Sequence, residues 1–422
     1  MSCPLLWQGA VVLRRRPIRP ERRRPADVVA AVAIVVVLVV AAVVYGTHSP
    51  LAGTESVPAA GPGTAPQAPL DVPDAFAEAW RAPSSAAPLP VTAGPGVVTA
   101  DGGTVTGRDA TTGAERWHYT RDRQLCTVAE GFGRVLALYH DDEHCSELAA
   151  LDGDLGTRKD QRTVDARPGA RLLTSGSQVV VTGPDHTEAM RSDLVKTLEY
   201  GVITAPAQPG RQPRSGCTYH SFAATAGRLG VVESCPTDTA DRITVLRPDG
   251  GGDADTPQIT FSGRLPTTGA QVVALSAERT AVVLPGPPEL QILDAEGAQV
   301  SLVGLDIPES EVAPPPDGVA VTASDTQRTY WWSGSSTIAL DRTALAPLWT
   351  LKGTLGPGTS YAGQWVVPVP RGLAVVDPTR GVVRRTVPVD RGGYSGSVAL
   401  AAKGDVLVEQ RGTEAVALRP AG

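Results

Sequence analysis

The chain has 422 residues, of which 42% are hydrophobic and 19% charged, with 45 glycines, 37 prolines and a net charge of −6. So many apolar residues at so low a net charge exclude an intrinsically disordered chain. The glycine and proline content argues against a helical bundle and favours an all-β body of short strands joined by turns.

The N-terminal region combines a basic cluster with a long apolar run. Residues 1–25 hold seven arginines and one acid, Glu21, so they carry +6 and the remaining chain carries −12. The 18 apolar residues from Val28 to Tyr45 would span about 27 Å as a helix, close to the thickness of a bilayer core. We therefore predict an Arg-rich cytoplasmic tail over 1–26 and a single transmembrane helix over 27–45.

The position of the basic cluster before this run predicts a cytoplasmic N-terminus and a C-terminal domain outside the cytoplasm, in a cell membrane protein with one span. The alternative is a cleaved signal peptide, whose apolar core is usually shorter. Residues 46–75 contain six prolines and few bulky apolar residues. Since such a segment cannot bury a core, it predicts a disordered extracytoplasmic tether.

A repeated pattern occupies residues 76–422: a short apolar strand, a turn, a second strand, and then a glycine-containing turn that often precedes a tryptophan strand. The clearest copy lies at Val97–Thr120. Hairpin units recur roughly every 36–52 residues, which is typical of a β-propeller. We predict eight blades, with seven as the alternative because the region 160–215 is irregular.

The two ends of this domain predict how the ring closes. The strand around Trp80 resembles those around Trp117 and Trp349, yet no hairpin precedes it. The last hairpin, residues 404–418, lacks such a strand. Because pairing the two would remove two open sheet edges, we expect the N-terminal strand to complete the last blade.

The segment DATTGAERWHYT, residues 109–120, combines an aspartate, a Thr-Gly turn and a tryptophan. This spacing resembles the repeat of PQQ-like (quinoprotein-type) β-propeller proteins, of the actinobacterial membrane-anchored kind. The resemblance implies a propeller that mostly lacks cofactor and catalysis. Cofactor-bearing quinoproteins are known for a disulfide between adjacent cysteines, and this sequence contains no Cys-Cys dipeptide.

Five cysteines are present, and Cys3 lies in the tail that we predict to be cytoplasmic. The other four form two similarly spaced pairs, and each pair brackets a predicted strand turn. Four cysteines allow three pairings. The repeat favours Cys126–Cys145 and Cys217–Cys235, each as a link between adjacent strands of one blade.

Two groups of residues could form a metal site or an interface. The segment His140–His144, HDDEH, carries metal-binding side chains, but we interpret it as a polar hairpin tip, and no metal, cofactor or catalytic residue is predicted. Trp331 and Trp332 are neighbours on a predicted strand and so point to opposite faces. One of them is a candidate interface residue, unless both pack between blades.

These features predict a non-enzymatic, membrane-anchored propeller that acts as a protein–protein interaction scaffold in the cell envelope. The absence of a basic stripe in the −12 region argues against nucleic acid as a partner. The alternative is a ligand-binding or quinone-dependent oxidoreductase propeller that uses its axial channel. Convergent carboxylates and a tryptophan platform in that channel would favour the alternative, whereas small or apolar side chains would favour a scaffold.

Overall fold

A computed structural model describes residues 25–48, 53–141, 143–204, 209–250 and 253–421. The predicted cytoplasmic tail up to residue 24, with Cys3, lies outside these ranges. The chain divides into two compact units, Met1–Gly53 and Thr54–Gly422.

The first unit contains one helix, α1 (Pro25–His48). Proline suits the first turn of a helix, where its missing N–H would have no intrahelical acceptor. The valine, leucine and isoleucine side chains of α1 are exposed. The segment Pro25–Gly46 is long and apolar enough to cross a membrane, as are many signal sequences near an N-terminus. It contains the span predicted at 27–45.

The second unit is built from short strands, 32 of them in the described residues. The strands of its first half are β1 (Glu55–Val57), β2 (Phe76–Pro83), β3 (Val97–Asp101), β4 (Thr104–Arg108), β5 (Glu115–Thr120), β6 (Leu125–Gly131), β7 (Arg134–Asp141), β8 (His144–Asp152), β9 (Arg158–Ala166), β10 (Leu172–Ser175), β11 (Gln178–Val181), β12 (His186–Arg191), β13 (Lys196–Gly201), β14 (Thr218–Thr225), β15 (Arg228–Ser234), β16 (Arg242–Leu246) and β17 (Ile259–Arg264). Those of its second half are β18 (Gln271–Leu275), β19 (Thr280–Leu284), β20 (Glu289–Leu293), β21 (Gln299–Gly304), β22 (Val321–Ser324), β23 (Arg328–Trp332), β24 (Ser336–Asp341), β25 (Pro347–Lys352), β26 (Thr359–Tyr361), β27 (Gln364–Val369), β28 (Gly372–Val376), β29 (Val383–Pro388), β30 (Val398–Lys403), β31 (Val406–Arg411) and β32 (Glu414–Pro420). A 3₁₀ turn lies at Glu309–Glu311.

In the described residues these strands form eight antiparallel four-stranded sheets, which confirms the predicted eight-bladed propeller. Blades 2 to 7 each consist of four consecutive strands: β6–β9, β10–β13, β14–β17, β18–β21, β22–β25 and β26–β29. Blade 8 contains β30, β31 and β32, with β2 as its outer strand. Trp80 is paired there with Ala417, so the predicted closure of the ring by the N-terminal strand is also confirmed.

Blade 1 has a different composition. Its sheet is β3, β4, β5 and then β1. On the inner side of β3, Val91 forms an isolated bridge with Val98. The segment before β3 therefore takes the place of the innermost strand, β5 takes the fourth place, and β1 adds a further strand outside it.

Large side chains from the fourth strand of one blade pack over a glycine turn of the next in four cases. Gly113 follows Asp109 in the predicted tight turn, in which Asp109 Oδ1 accepts hydrogen bonds from two backbone N–H groups. At Gly113, with φ 71°, a Cβ atom would lie 2.6 Å from Cγ of Trp80. Position 113 therefore requires glycine, because the turn has positive φ and the Trp80 ring leaves no room for a Cβ atom. The equivalent pairs are Trp117 with Gly156, Phe261 with Gly297 and Trp349 with Gly381.

The segment predicted as a disordered tether differs in the structure. Residues 54–75, here called the strap, lie along the propeller. Within it, β1 pairs with β5, and the Ala59 N–H donates a hydrogen bond to the Leu155 carbonyl of blade 2 at 3.1 Å. Further along, Val72 is buried in an apolar cluster of blades 7 and 8. The expectation over 46–75 considered only core burial, whereas the strap is held by backbone pairing and polar contacts to the outside of the ring.

Candidate functional site

An axial channel with a volume of about 890 Å³ lies within the described part of the propeller. Segments from the inner part of all eight blades line it. Most of the lining side chains are small or apolar, because the inner strands are rich in alanine, valine, serine and threonine. Representative stretches are Val128–Glu130, Leu172–Gly176, Phe222–Ala226, Val273–Ala277 and Val319–Ser324.

Few charged groups line this channel. Glu130 is the one carboxylate among its described lining residues, and its Oε2 accepts a hydrogen bond from the Thr92 hydroxyl at 3.3 Å. The Arg171 guanidinium is paired with Asp317, so its charge is compensated. One carboxylate cannot hold a calcium ion and also supply a catalytic base, so the lining does not fit the requirements of a quinone cofactor.

The two adjacent tryptophans have separate environments, as their alternation on β23 requires. Trp331 is 1% exposed and packs in the apolar cluster between blades 5 and 6, so it is not accessible to a partner. Trp332 is half-buried and lines the channel, and its Nε1–H donates a hydrogen bond to the Thr354 carbonyl at 3.2 Å. A role in an interface therefore remains a prediction for Trp332 alone.

Both predicted disulfides are confirmed, with Sγ–Sγ distances of 2.05 Å for Cys126–Cys145 and 2.01 Å for Cys217–Cys235. Each links parts of one blade. The second joins the ends of the adjacent strands β14 and β15, as expected. The first instead joins β6 to β8, with β7 between them, so the expectation of adjacent strands is wrong for this pair.

The described residues of the HDDEH segment lie where β7 turns into β8. His140 is near Cys126 and Cys145, a combination that could bind a metal if both thiols were free. Because the two cysteines form a disulfide, they cannot act as thiolate ligands. Asp141 is paired with Arg123 at 3.2 Å, and Asp142 lies outside the described residues. The described residues of the segment lie at a polar hairpin end between β7 and β8.

A second polar cluster lies in blade 3. His186, Glu188 and Glu199 place potential ligand atoms within 4.8 Å of one another, and neither ring nitrogen of His186 has a hydrogen-bond partner. The Lys196 ammonium, however, lies 2.6 Å from Glu188 and 2.5 Å from Glu199. Burial lowers the pKa of Lys196, but the two carboxylates outweigh burial and raise it. The lysine thus supplies the positive charge that a metal would otherwise bring.

Blade 4 contains a serine, a histidine and an aspartate in contact. Asp241 accepts a hydrogen bond from the Ser234 hydroxyl at 2.6 Å and lies 3.1 Å from Nε2 of His220. In a catalytic triad the histidine lies between the other two residues, but here the aspartate does. Burial lowers the pKa of His220. The group therefore fastens strand ends together and does not activate a nucleophile.

Sequence reasoning missed the charged residues buried between blades. Glu409, in β31, bonds to Arg391 at 2.8 Å and to Arg411 at 2.6 Å, and all three side chains are buried. Their signal in the sequence is weak: a glutamate, a glutamine and an arginine follow three apolar residues in the strand VLVEQR. This buried cluster links blades 7 and 8, because Arg391 also donates hydrogen bonds to the Val369 and Gly372 carbonyls of blade 7.

Comparison with solved structures finds several that are similar to this chain. Sqt1 from Saccharomyces cerevisiae is 9% identical, covers 85% of this chain and 100% of its own, and has a TM-score of 0.52. BamB from Moraxella catarrhalis is 14% identical, with 82% and 99% covered and a TM-score of 0.46. The dihydro-heme d1 dehydrogenase NirN is 15% identical, with 84% and 72% covered and a TM-score of 0.48. At these identities the likeness is one of fold.

No protein-family model matches the sequence, and a search of curated proteins also finds no match.

Proposed function

We propose that this protein is a non-enzymatic propeller, anchored in the cytoplasmic membrane by α1, that binds another protein of the cell envelope outside the cytoplasm. The observation that carries the proposal is the lining of the axial channel. Most of its side chains are small or apolar, and Glu130 is the one carboxylate among those described, beside two arginines, Arg171 and Arg342. Such a lining favours a rigid ring that presents its outer surfaces and loops to partners.

The membrane part of the proposal is supported by the length and composition of α1 and by the arginines before it. Residues 28–45 of α1 carry no charged side chain and are long enough to span a bilayer core, and the arginines favour a cytoplasmic N-terminus. The two disulfides support exposure to an oxidising compartment.

Two fusions of the full chain test the proposal. A biotinylating enzyme fused after residue 422 should label envelope proteins outside the cytoplasm, and the same enzyme fused before residue 14 should label cytoplasmic proteins only. Labelling with the opposite sidedness would overturn the orientation. If C-terminal labelling in the native envelope enriches no protein above a free secreted enzyme, the scaffold role is wrong.

The volume of the channel is the one observation that favours a ligand instead. A space of about 890 Å³ is sufficient for a small molecule. We expect pyrroloquinoline quinone with calcium to leave the melting temperature of the full chain unchanged, because the lining lacks convergent carboxylates. A reproducible rise with quinone concentration would favour the oxidoreductase alternative.

A further inference from the structure

We propose that β21, the outer strand of blade 5, binds an extended segment of a partner polypeptide by strand addition, and that this segment has alternating apolar side chains and basic residues at its ends. The inference rests on the proposed function, because it identifies where a protein partner would bind. It is carried by the composition of β21, by its exposed apolar side chains, by a strand addition elsewhere in the same propeller, and by the charge around it.

Outer strands of a sheet usually carry charges or prolines that prevent pairing with other chains. Seven outer strands of this propeller have such residues. They include Lys159 in β9, Lys196 in β13, Arg264 in β17, Pro347 in β25, Arg384 in β29, Arg81 in β2 and Glu55 in β1. The eighth, β21, has the sequence QVSLVG, with no charged residue and no proline.

The unpaired edge of β21 is accompanied by exposed apolar side chains. Val300 is 53% exposed and Leu302 is 44% exposed. Val300 lies at the bulge between Gln299 and Ser301, and Leu302 is paired with Gln291 of β20. β20 pairs with one edge of β21, and in the described residues no strand pairs with the other. A strand added there would gain backbone hydrogen bonds and cover both apolar side chains.

The same propeller already accepts an added strand on an outer edge. In blade 1, β1 lies outside β5, which holds the fourth-strand position, and its register runs from Glu55 opposite Thr120 to Val57 opposite His118. Three residues are sufficient for this pairing. The twist of an outer strand in this fold is therefore compatible with strand addition, and β21 offers six residues.

The residues on either side of β21 in the sequence are acidic, which favours a basic partner. Between residues 280 and 327 the sequence has eight carboxylates and no lysine, arginine or histidine. Of these, Asp294 and Glu296 precede β21, and Asp306 and Glu309 follow it. Asp306 pairs with Lys352 at 2.5 Å, but both side chains are largely exposed, so solvent screens that pair. Acidic groups at both ends of the strand attract basic residues at the ends of a bound segment.

A second copy of this chain is a poorer occupant. Antiparallel pairing of two β21 strands would bring the acidic residues before one strand close to those after the other. Like charges facing each other in this way destabilise the contact. The segment that pairs with β21 is therefore a basic segment of a different polypeptide.

Synthetic peptides titrated against the full chain in detergent test the proposal directly. The probe is a nine-residue peptide with two arginines at each end and alternating valine and threonine between them. Fluorescence anisotropy should show saturable binding that weakens at least tenfold when the arginines are replaced by glutamates. A version with N-methylated central residues should also bind at least tenfold more weakly, because it keeps its side chains and loses its backbone donors.

Protein variants locate the site. Leu302→Lys should weaken binding of the arginine peptide about tenfold or more. Val383→Lys, which adds the same charge to the 39%-exposed position on β29, should change it less than twofold. Circular dichroism checks that both variants remain folded, and the peptide series needs no variant at all.

Equal binding by the three peptides, or equal loss in the two variants, would overturn the inference. Dimerisation of the full chain that Leu302→Lys abolishes would also overturn it, in favour of self-pairing. If these titrations fail while proximity labelling still recovers an envelope protein, strand addition at β21 is wrong and the proposed function stands. If labelling fails as well, both are wrong.

Discussion

Blades 1 and 5 differ in what covers their outer edges. In blade 1, the chain uses its own strap to place β1 on β5, and the Arg116 guanidinium fastens the strap to the Gly61 carbonyl. In blade 5, β21 has no covering strand in the described residues and no charged residue of its own. The comparison indicates that coverage of the outer edge differs from blade to blade, although both sheets contain four strands in the described residues.

The blades differ again at the position that contacts the next blade. Trp117 in β5 pairs with Gly107, and Ser301 in β21 pairs with Ile292, at the same register beside a bulge. Trp117 packs over Gly156 of blade 2, but Ser301 cannot fill such a contact. The fourth strand of blade 1 thus contributes a large buried ring to the contact with the next blade, whereas β21 contributes none, and the large buried ring between blades 5 and 6 is Trp331 of β23.

The largest effect should come from removing the strands that cover blades 1 and 8. A chain beginning at Val91 lacks the strap and β2, including the buried Phe76 and Trp80. Losing one buried aromatic side chain costs about 3–5 kcal/mol, so losing the strand should prevent stable folding. A chain beginning at Leu70 keeps β2 and Val72 and should fold. Thermal unfolding by circular dichroism and soluble yield measure this, and equal melting temperatures for the two chains would show that β2 does not close the ring.

The next largest effect should come from substituting Trp117 in blade 1, which occupies the same register position as Ser301 in blade 5. Trp117→Ala should lower the free energy of unfolding by about 3–5 kcal/mol, because the ring is fully buried. Ser301→Ala in blade 5 should change it by less than about 0.5 kcal/mol. Urea unfolding of both variants measures the difference. A loss of similar size at both positions would mean that the tryptophan contact is not what distinguishes blade 1.

Much of this architecture follows from local patterns in the sequence. The turn from Asp109 to Gly113 is readable because aspartate bonds to its own backbone and glycine permits positive φ. The ring closure and the disulfide pairs follow from counting repeat units, since each unit builds one blade.

The strap and the lining of the channel cannot be predicted from local sequence patterns in this way. Glu55–Val57 is three residues without alternation, and its partner strand begins about sixty residues later, so no local pattern marks β1. Trp331 and Trp332 could be assigned to opposite faces, but which of them is buried depends on the neighbouring blade. The bare edge of β21 becomes evident only when all eight outer strands are known.

A smaller effect should follow from loosening the strap in blade 1. Arg116 Nη2 donates hydrogen bonds to the Gly61 carbonyl at 3.0 Å and to Asp154 at 2.9 Å. Because both charged side chains are partly exposed, Arg116→Ala should cost only about 1 kcal/mol in the free energy of unfolding. Limited proteolysis within residues 54–69 should become several-fold faster. Arg162→Ala, which removes an exposed arginine from β9, is the matched control and should leave the cleavage rate unchanged.

The attachment of β1 should also depend on pH. A hydrogen bond to Glu115, with a further contribution from Glu55, raises the pKa of His118. The folded state then binds this proton more tightly than the unfolded state. The resulting stabilisation is fully present below the unfolded-state pKa, about 6.5, and is lost as the pH rises through the higher folded-state value.

Amide hydrogen exchange, corrected for the intrinsic rate, measures this dependence. Protection of Glu55–Val57 should fall between pH 6 and pH 8, and His118→Gln should remove the fall. The β20–β21 ladder of blade 5 is the internal reference, because residues 280–327 contain no histidine. An equal fall in both blades would assign the effect to global stability and not to His118.

The smallest effect on the free energy of unfolding is expected at the unpaired edge of β21. Leu302 is exposed in the outer strand of blade 5, so Leu302→Thr should change the free energy of unfolding by less than about 0.5 kcal/mol. In the neighbouring strand, Leu290 is fully buried, and Leu290→Ala should cost about 2–5 kcal/mol. Urea unfolding of the two variants shows whether the outer edge of blade 5 contributes to the stability of the propeller. If Leu302→Thr proves as costly as Leu290→Ala, the edge contributes to the core, and its apolar residues are explained without a partner.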